Sequence, residues 1–200
     1  MTAKVDICNL ALSHLANSSE IADLDAEQSK EAQACRRFFD EIRDEVLRDF
    51  PWPFAMTQGA LALVASNPTI EWGYSYRLPA GCLNFRRILS GVRNDSRKSR
   101  IVYRLGQDAA GDLIFTDQPS AQAEWTAQIT NTERFRPDFV LALSYLLAFR
   151  IGPRVAGDKV KVVADAQQNY YLQISKAKAN ALNEEQLDDS PDSEFVSARE

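Results

Sequence analysis

The sequence of 200 residues predicts a mainly helical α+β fold: a four-helix bundle body, an inserted small antiparallel β-sheet or hairpin region, and an extended C-terminal tail. Three observations lead there. Apolar residues recur at spacings of three and four near both ends of the chain. Between them lie short β-branched and aromatic runs separated by a glycine-bearing turn. The end of the chain is acidic, with few apolar residues. Residues 1–55 and 136–182 are assigned to one helical domain, 56–135 to the β-rich insertion, and 183–200 to an acidic flexible tail.

The first helix is predicted from about Thr2 to Leu15, on Val5, Cys8, Leu12 and Leu15, widened by Ile7 and Ala11. Asn17, Ser18 and Ser19 end it, with Asn17 read as the left-handed cap. Ile21 and Leu24 then return to the core. The second helix is predicted from Asp25, where Asp25 and Gln28 resemble a capping box. Cys35, Phe38, Phe39, Ile42, Val46 and Phe50 form its apolar stripe, and Arg36, Arg37, Glu41, Arg43 and Asp44 its solvent side. Pro51 and Pro53 forbid continuation, because each lacks a backbone N–H and restricts the residue before it.

The middle of the chain carries strand signals. Ser99–Leu105 and Gly111–Asp117 flank the turn GQDAAG, and Ala123–Thr130 alternates, with Trp125, Ala127 and Ile129 on one side. Pro137 suits the first turn of a third helix. That helix runs through FVLALSYLLAFRI to Gly152–Pro153 and is apolar nearly all round, as for a central helix. A fourth is predicted from about Asp158 to Leu182, with Val163, Gln167, Tyr170, Ile174, Ala177 and Ala181 inward. Phe38, Ile42, Leu143, Leu147, Tyr170 and Ile174 are expected to share one core.

Charge is unevenly placed. The net formal charge is −5. Asn183–Glu200 holds seven acids and one base, whereas Arg86–Arg104 holds seven bases and the single acid Asp95. The longest apolar run, Phe139–Ile151, is interrupted by Ser144 and Arg150 and falls short of the ~20 residues that span a bilayer, so no membrane insertion is expected. The start MTAKVDICNL lacks the apolar segment of a secretory signal. Cys8, Cys35 and Cys82 read as reduced thiols of a protein made in a bacterial cytosol.

No motif asks for catalysis, a metal or a cofactor. His14 is the only histidine and has no ligand partner at zinc spacing. GQDAAG lacks the Lys-Ser/Thr of a phosphate loop. Asp23 with Asp25, and Asp188 with Asp189, lie on a loop and a tail rather than on rigid elements flanking a cleft. The basic segment is the one candidate for nucleic-acid contact through phosphates. The competing reading, a solvated sheet face or protein interface, is preferred, because the chain as a whole is acidic.

The succession ICNLALSHL (7–15), IADLD (21–25), EAQACRRFFDEIRDEVLRDF (31–50), PWPFA (51–55) and YSYRLPAGCL (74–83) resembles the podophage tail tubular protein A family. The likeness fades towards Leu182. That family often has Gly at the position of Ala16. The resemblance implies a structural virion protein of the phage neck. It would form a dodecameric head-to-tail adaptor ring between the portal protein and the tail nozzle protein, with double-stranded DNA passing through the lumen without sequence readout. On this reading Leu187, Phe195 and Val196 anchor the tail on the portal. Arg93, Arg97, Lys98, Arg100 and Arg104 face a neighbouring subunit or tail partner, with Glu41, Asp44 and Glu45 of an adjacent copy as complementary acids. An adaptor of a long-tailed phage or gene-transfer agent is the alternative. A cytosolic enzyme or DNA-binding regulator is a more remote one.

Overall fold

The computed structural model describes residues 3–92 and 100–184. Its first helix, α1 (Lys4–His14), is opened by the Asp6 carboxylate, which accepts from the Ala3 N–H at 2.7 Å. It closes on Ala16, which takes φ +50°. The N–H groups of Ala16 and Asn17 return to Ser13 and Leu12 at 3.0 and 3.2 Å. The left-handed position is thus Ala16, not Asn17. The Asn17 side chain instead accepts from the Ser19 N–H and donates to Glu31. The side chain of Asn9 accepts from and donates to the backbone of Ile21 at 2.9 and 3.0 Å, which pins the following loop to α1.

Helix α2 (Lys30–Asp49) begins five residues later than the capping pattern suggested. The Asp23 carboxylate takes the N–H groups of Asp25 and Ala26, so this stretch is held as a turn. Short acidic side chains compete with the helix in this way. The cap is Ser29, whose Oγ accepts from the Ala32 N–H at 3.2 Å. Cys35, Phe39, Ile42 and Val46 are buried as the stripe requires, with Phe38 and Phe50 partly covered. Arg43 was placed on the solvent side, but it is 5 % exposed. Its guanidinium is neutralised by Asp40 and Asp44, each at 2.8 Å.

Helix α3 (Pro137–Val155) runs through Gly152 and Pro153 rather than stopping there. Pro153 lies in the last turn, where little helix remains to be broken. Helix α4 (Val160–Asn183) packs back on α3. The approach is close at Gly152: a Cβ there would sit 2.7 Å from Val163 Cγ2. Ile42, Leu143, Leu147 and Ile174 are buried in one core, and Phe38 and Tyr170 are packed on its margin.

Among the described residues seven strands lie between the helical pairs: β1 (Met56–Ala60), β2 (Ala62–Ser66), β3 (Tyr74–Arg77), β4 (Cys82–Leu89), β5 (Tyr103–Asp108), β6 (Gly111–Thr116) and β7 (Gln122–Ala127). They form two antiparallel sheets, one ordered β1-β7-β4 and the other β2-β3-β6-β5. The chain passes from the first sheet to the second through one residue, Leu61, which is buried. A second core fills the space between the sheets: Leu61, Tyr76, Phe85, Ile88, Ile114, Ala121, Ala123 and Trp125. The three-stranded sheet also meets the helical core through Leu83 and Ala127.

This architecture overturns the expected four-helix bundle carrying a small hairpin. The β-region is two sheets with a core of their own. The helices are not a bundle of four equivalent stripes either. Helix α3 is buried on most of its circumference, from Phe139, Val140, Ala142 and Leu143 to Leu146, Leu147 and Ile151, and the other three helices pack around it. A helix that is apolar all round becomes the centre of its layer rather than one wall of a bundle.

Candidate functional site

A groove of about 1210 Å³ opens where α2, α3 and α4 meet the start of β4. Its floor is Leu83, Leu146, Phe149 and Tyr170. Its rim is charged: Glu41, Asp44, Glu45 and Asp49 stand against Arg48 and Arg150. The spacing of four residues from Glu41 to Glu45 to Asp49 puts these carboxylates on one face of α2. The sheet is fastened here by the Asn84 side chain and the Arg86 guanidinium, which donate to the Arg48 carbonyl at 3.2 and 3.1 Å.

Most of the rim acids have intramolecular partners. Glu45 pairs with Arg150 at 2.9 Å and Asp49 with Lys178 at 2.6 Å, across half-exposed surface. Asp44 accepts from Gln128 as well as from Arg43. Glu41 is exposed and takes no partner among the described residues. Burial, and then the nearby carboxylates of Asp49 and Glu45, push the Tyr170 phenol up to about 12. Burial also raises the Cys82 thiol, which lines the same groove.

The predicted basic interface is divided by the fold. Arg86 is held by Thr126 and the Arg48 carbonyl, and Arg87 by Glu124 at 2.7 Å. Arg100 is exposed. Arg104 is exposed on β5, 3.9 Å from Glu71. Arg93, Arg97 and Lys98 lie outside the described residues, as do the tail anchors Leu187, Phe195 and Val196. Of the predicted arginines that are described, neither Arg100 nor Arg104 lines the groove. Sequence reasoning named Glu41, Asp44 and Glu45 but missed Asp49, Tyr170 and Tyr171 as their companions. The four-residue period on α2 was visible. The packing of β4 and α4 beside it was not.

His14 is a structural residue. Its Nε2 lies 3.0 Å from the buried Ser144 Oγ, and its ring stacks on Tyr145 at 3.8 Å. Ser144 spends its own proton on the Leu141 carbonyl, so the imidazole is the donor in the His14 contact. Burial lowers the pKa of this histidine. The Asp23 carboxylate serves its turn, as described above. No cluster of three or more His, Cys, Asp or Glu among the described residues is placed to hold a metal ion. No helix among them is long and apolar enough to cross a membrane.

Two other surfaces stand out. Along α4, Val160, Ala164, Gln168, Tyr171, Ser175, Ala179 and Leu182 make an exposed stripe without a charge. On the four-stranded sheet the edge strand β2 exposes Leu63 and Val64, and β5, at the other edge, exposes Leu105. Compared with known proteins, the chain matches no family model and no curated protein.

Proposed function

We propose that this chain is a structural subunit of a head-to-tail adaptor ring in the neck of a short-tailed bacteriophage. Copies would stand side by side between portal and nozzle, and DNA would pass through the lumen without sequence readout. The observation that carries this reading is the succession of residues 7–55, two helices ending in PWPFA, followed by YSYRLPAGCL. In the fold, PWPFA is the junction at which the helical body gives way to the sheets. The exposed apolar positions at both edges of the four-stranded sheet and the uncharged stripe on α4 support association with other chains. They belong to different elements, β2 and β5 in the sheet and α4 in the helical part. Association through unlike surfaces produces closed rings when the rotation between copies closes.

The acidic tail beyond Asn183 would dock on the portal through its charge. The test is assembly. The purified chain, alone and mixed with the cognate portal protein, is followed by light scattering and negative-stain microscopy. Rings of uniform diameter stacked on the portal are expected. A chain truncated after Leu182 should keep its helical circular dichroism and lose portal capture. A chain that stays monomeric in the presence of portal would sink the adaptor reading.

A further inference from the structure

We propose that the groove between α2, α4 and β4 is a docking site for the basic segment 90–100 of a second copy of this chain. This deepens the adaptor reading and rests on it for the presence of the second copy. Groove and segment carry opposite charge. The groove lining carries four carboxylates against two guanidiniums. Residues 90–100 carry Arg93, Arg97, Lys98 and Arg100 against Asp95. Glu41 takes no partner among the described residues, and the carboxylates of Glu45 and Asp49 lie near Tyr170 inside the groove, where burial first and then these acids raise its phenol pKa. The Glu45–Arg150 and Asp49–Lys178 pairs are half exposed, whereas Asp44 is held by the buried Arg43. Exposed pairs are weak, so an incoming arginine displaces those two at small cost.

The groove also has a suitable shape. An acidic rim over the floor of Leu83, Leu146 and Phe149 suits long cationic side chains, which lay their methylene stems on apolar surface and keep the charge at the edge. Tyr171, 59 % exposed at the groove wall, offers a ring face to a guanidinium.

Groove and segment adjoin opposite ends of β4. The groove meets β4 at Cys82–Asn84, whereas the basic segment leaves β4 at its other end, Leu89. At ~3.3 Å per residue these ends are about 23 Å apart. Donor and acceptor surfaces at opposite ends of one strand make a head-to-tail contact, which repeats from copy to copy.

The decisive experiment uses a fluorescent peptide spanning residues 90–104, titrated by anisotropy against the intact chain at low salt, together with charge reversals. Glu41→Lys is the primary variant, because Glu41 is exposed and holds nothing among the described residues of its own subunit. Saturable binding is expected, about tenfold weaker in Glu41→Lys, as for reversing one charge at a partly exposed contact, and weaker again in high salt. In assembly assays Glu41→Lys and Arg97→Glu should each impair rings, and their combination should restore them. Peptide binding without portal-induced rings would sustain the docking and sink the adaptor reading. Rings indifferent to both reversals, or a peptide that fails to bind, would sink the docking and leave the adaptor reading standing. Saturable duplex DNA binding by rings, lost on Arg97→Ala and Lys98→Ala while the peptide ignores the groove, would also overturn it in favour of a channel lining.

Discussion

The indole N–H of Trp52 donates to the carbonyl of Val46 at 2.8 Å, inside the protein. Val46 is one of the last four residues of α2, whose carbonyls have no partner within the helix. The tryptophan of the PWPFA turn is thus a cap as well as a core side chain. Its ring meets Phe50, Phe54 and Phe139. Replacing Trp52 by Phe keeps most of the packing and strands a buried acceptor, at an expected loss of about 1–3 kcal/mol. Trp52→Ala also leaves a cavity and should lose about 3–5 kcal/mol. Denaturant unfolding of both variants separates the two contributions.

His14 ties stability to pH. Its folded pKa lies below the ordinary value because burial disfavours the imidazolium. Protonation therefore favours the unfolded chain. The stability held by neutral His14 is complete above its unfolded pKa of about 6.5 and is lost as pH falls towards the lower folded value. His14→Gln can still donate to Ser144 but does not titrate. The variant should show a shallower loss of stability between about pH 7 and pH 5 in urea titrations. An unchanged slope would mean that another group carries the dependence.

Gly152 sets the approach of α4 to α3. A methyl group there would collide with both Cγ atoms of Val163, at 2.7 and 2.9 Å from the new Cβ. Gly152→Ala should therefore destabilise by about 1–3 kcal/mol despite its better helix propensity. Val163→Ala in the same chain should recover much of that loss. The double-mutant cycle is the measurement, and purely additive effects would show that the collision is not what matters.

Ala16 is an alanine in a glycine's conformation, at φ +50°. Left-handed backbone costs a side-chain-bearing residue about 1–2 kcal/mol. Ala16→Gly should raise stability by up to about 1 kcal/mol, since the greater freedom of glycine in the unfolded chain offsets part of the relief. Thermal unfolding would read it, and a lower midpoint would contradict the assignment.

The helices were legible because their signals are local. The stripe Cys35, Phe39, Ile42, Val46 and the all-round apolar character of Phe139–Ile151 fixed type, approximate extent and burial before any packing was known. The start of α2 was misread because Asp23, not Asp25, captures the turn's N–H groups, a choice that a capping pattern does not resolve. Among the strands, the hairpin of β5 and β6 announced itself through GQDAAG. Strands β1 and β2 did not, because their alternation breaks at Leu61, where the chain changes sheets, and β2 leaves Leu63 and Val64 in solvent. The groove was least legible. Its carboxylates share a face of α2, but Tyr170, Tyr171 and Cys82 reach it only through contacts between elements distant in sequence.

The Phe54 carbonyl receives the Arg134 guanidinium at 2.8 Å, and the rings of Phe54 and Phe135 lie 5.9 Å apart. The polypeptide thus leaves the helical half and re-enters it through a single doorway. Everything between is an excursion that starts and finishes at one place. Such a layout tolerates exchange of the excursion, because a graft of any size needs only two closely spaced attachment points. A chain in which a short glycine linker replaces residues 57–132 should retain the Trp52 environment, readable by fluorescence. Across evolution the same doorway would let the distal part of the subunit be recast for a new neighbour while the helical half kept its own.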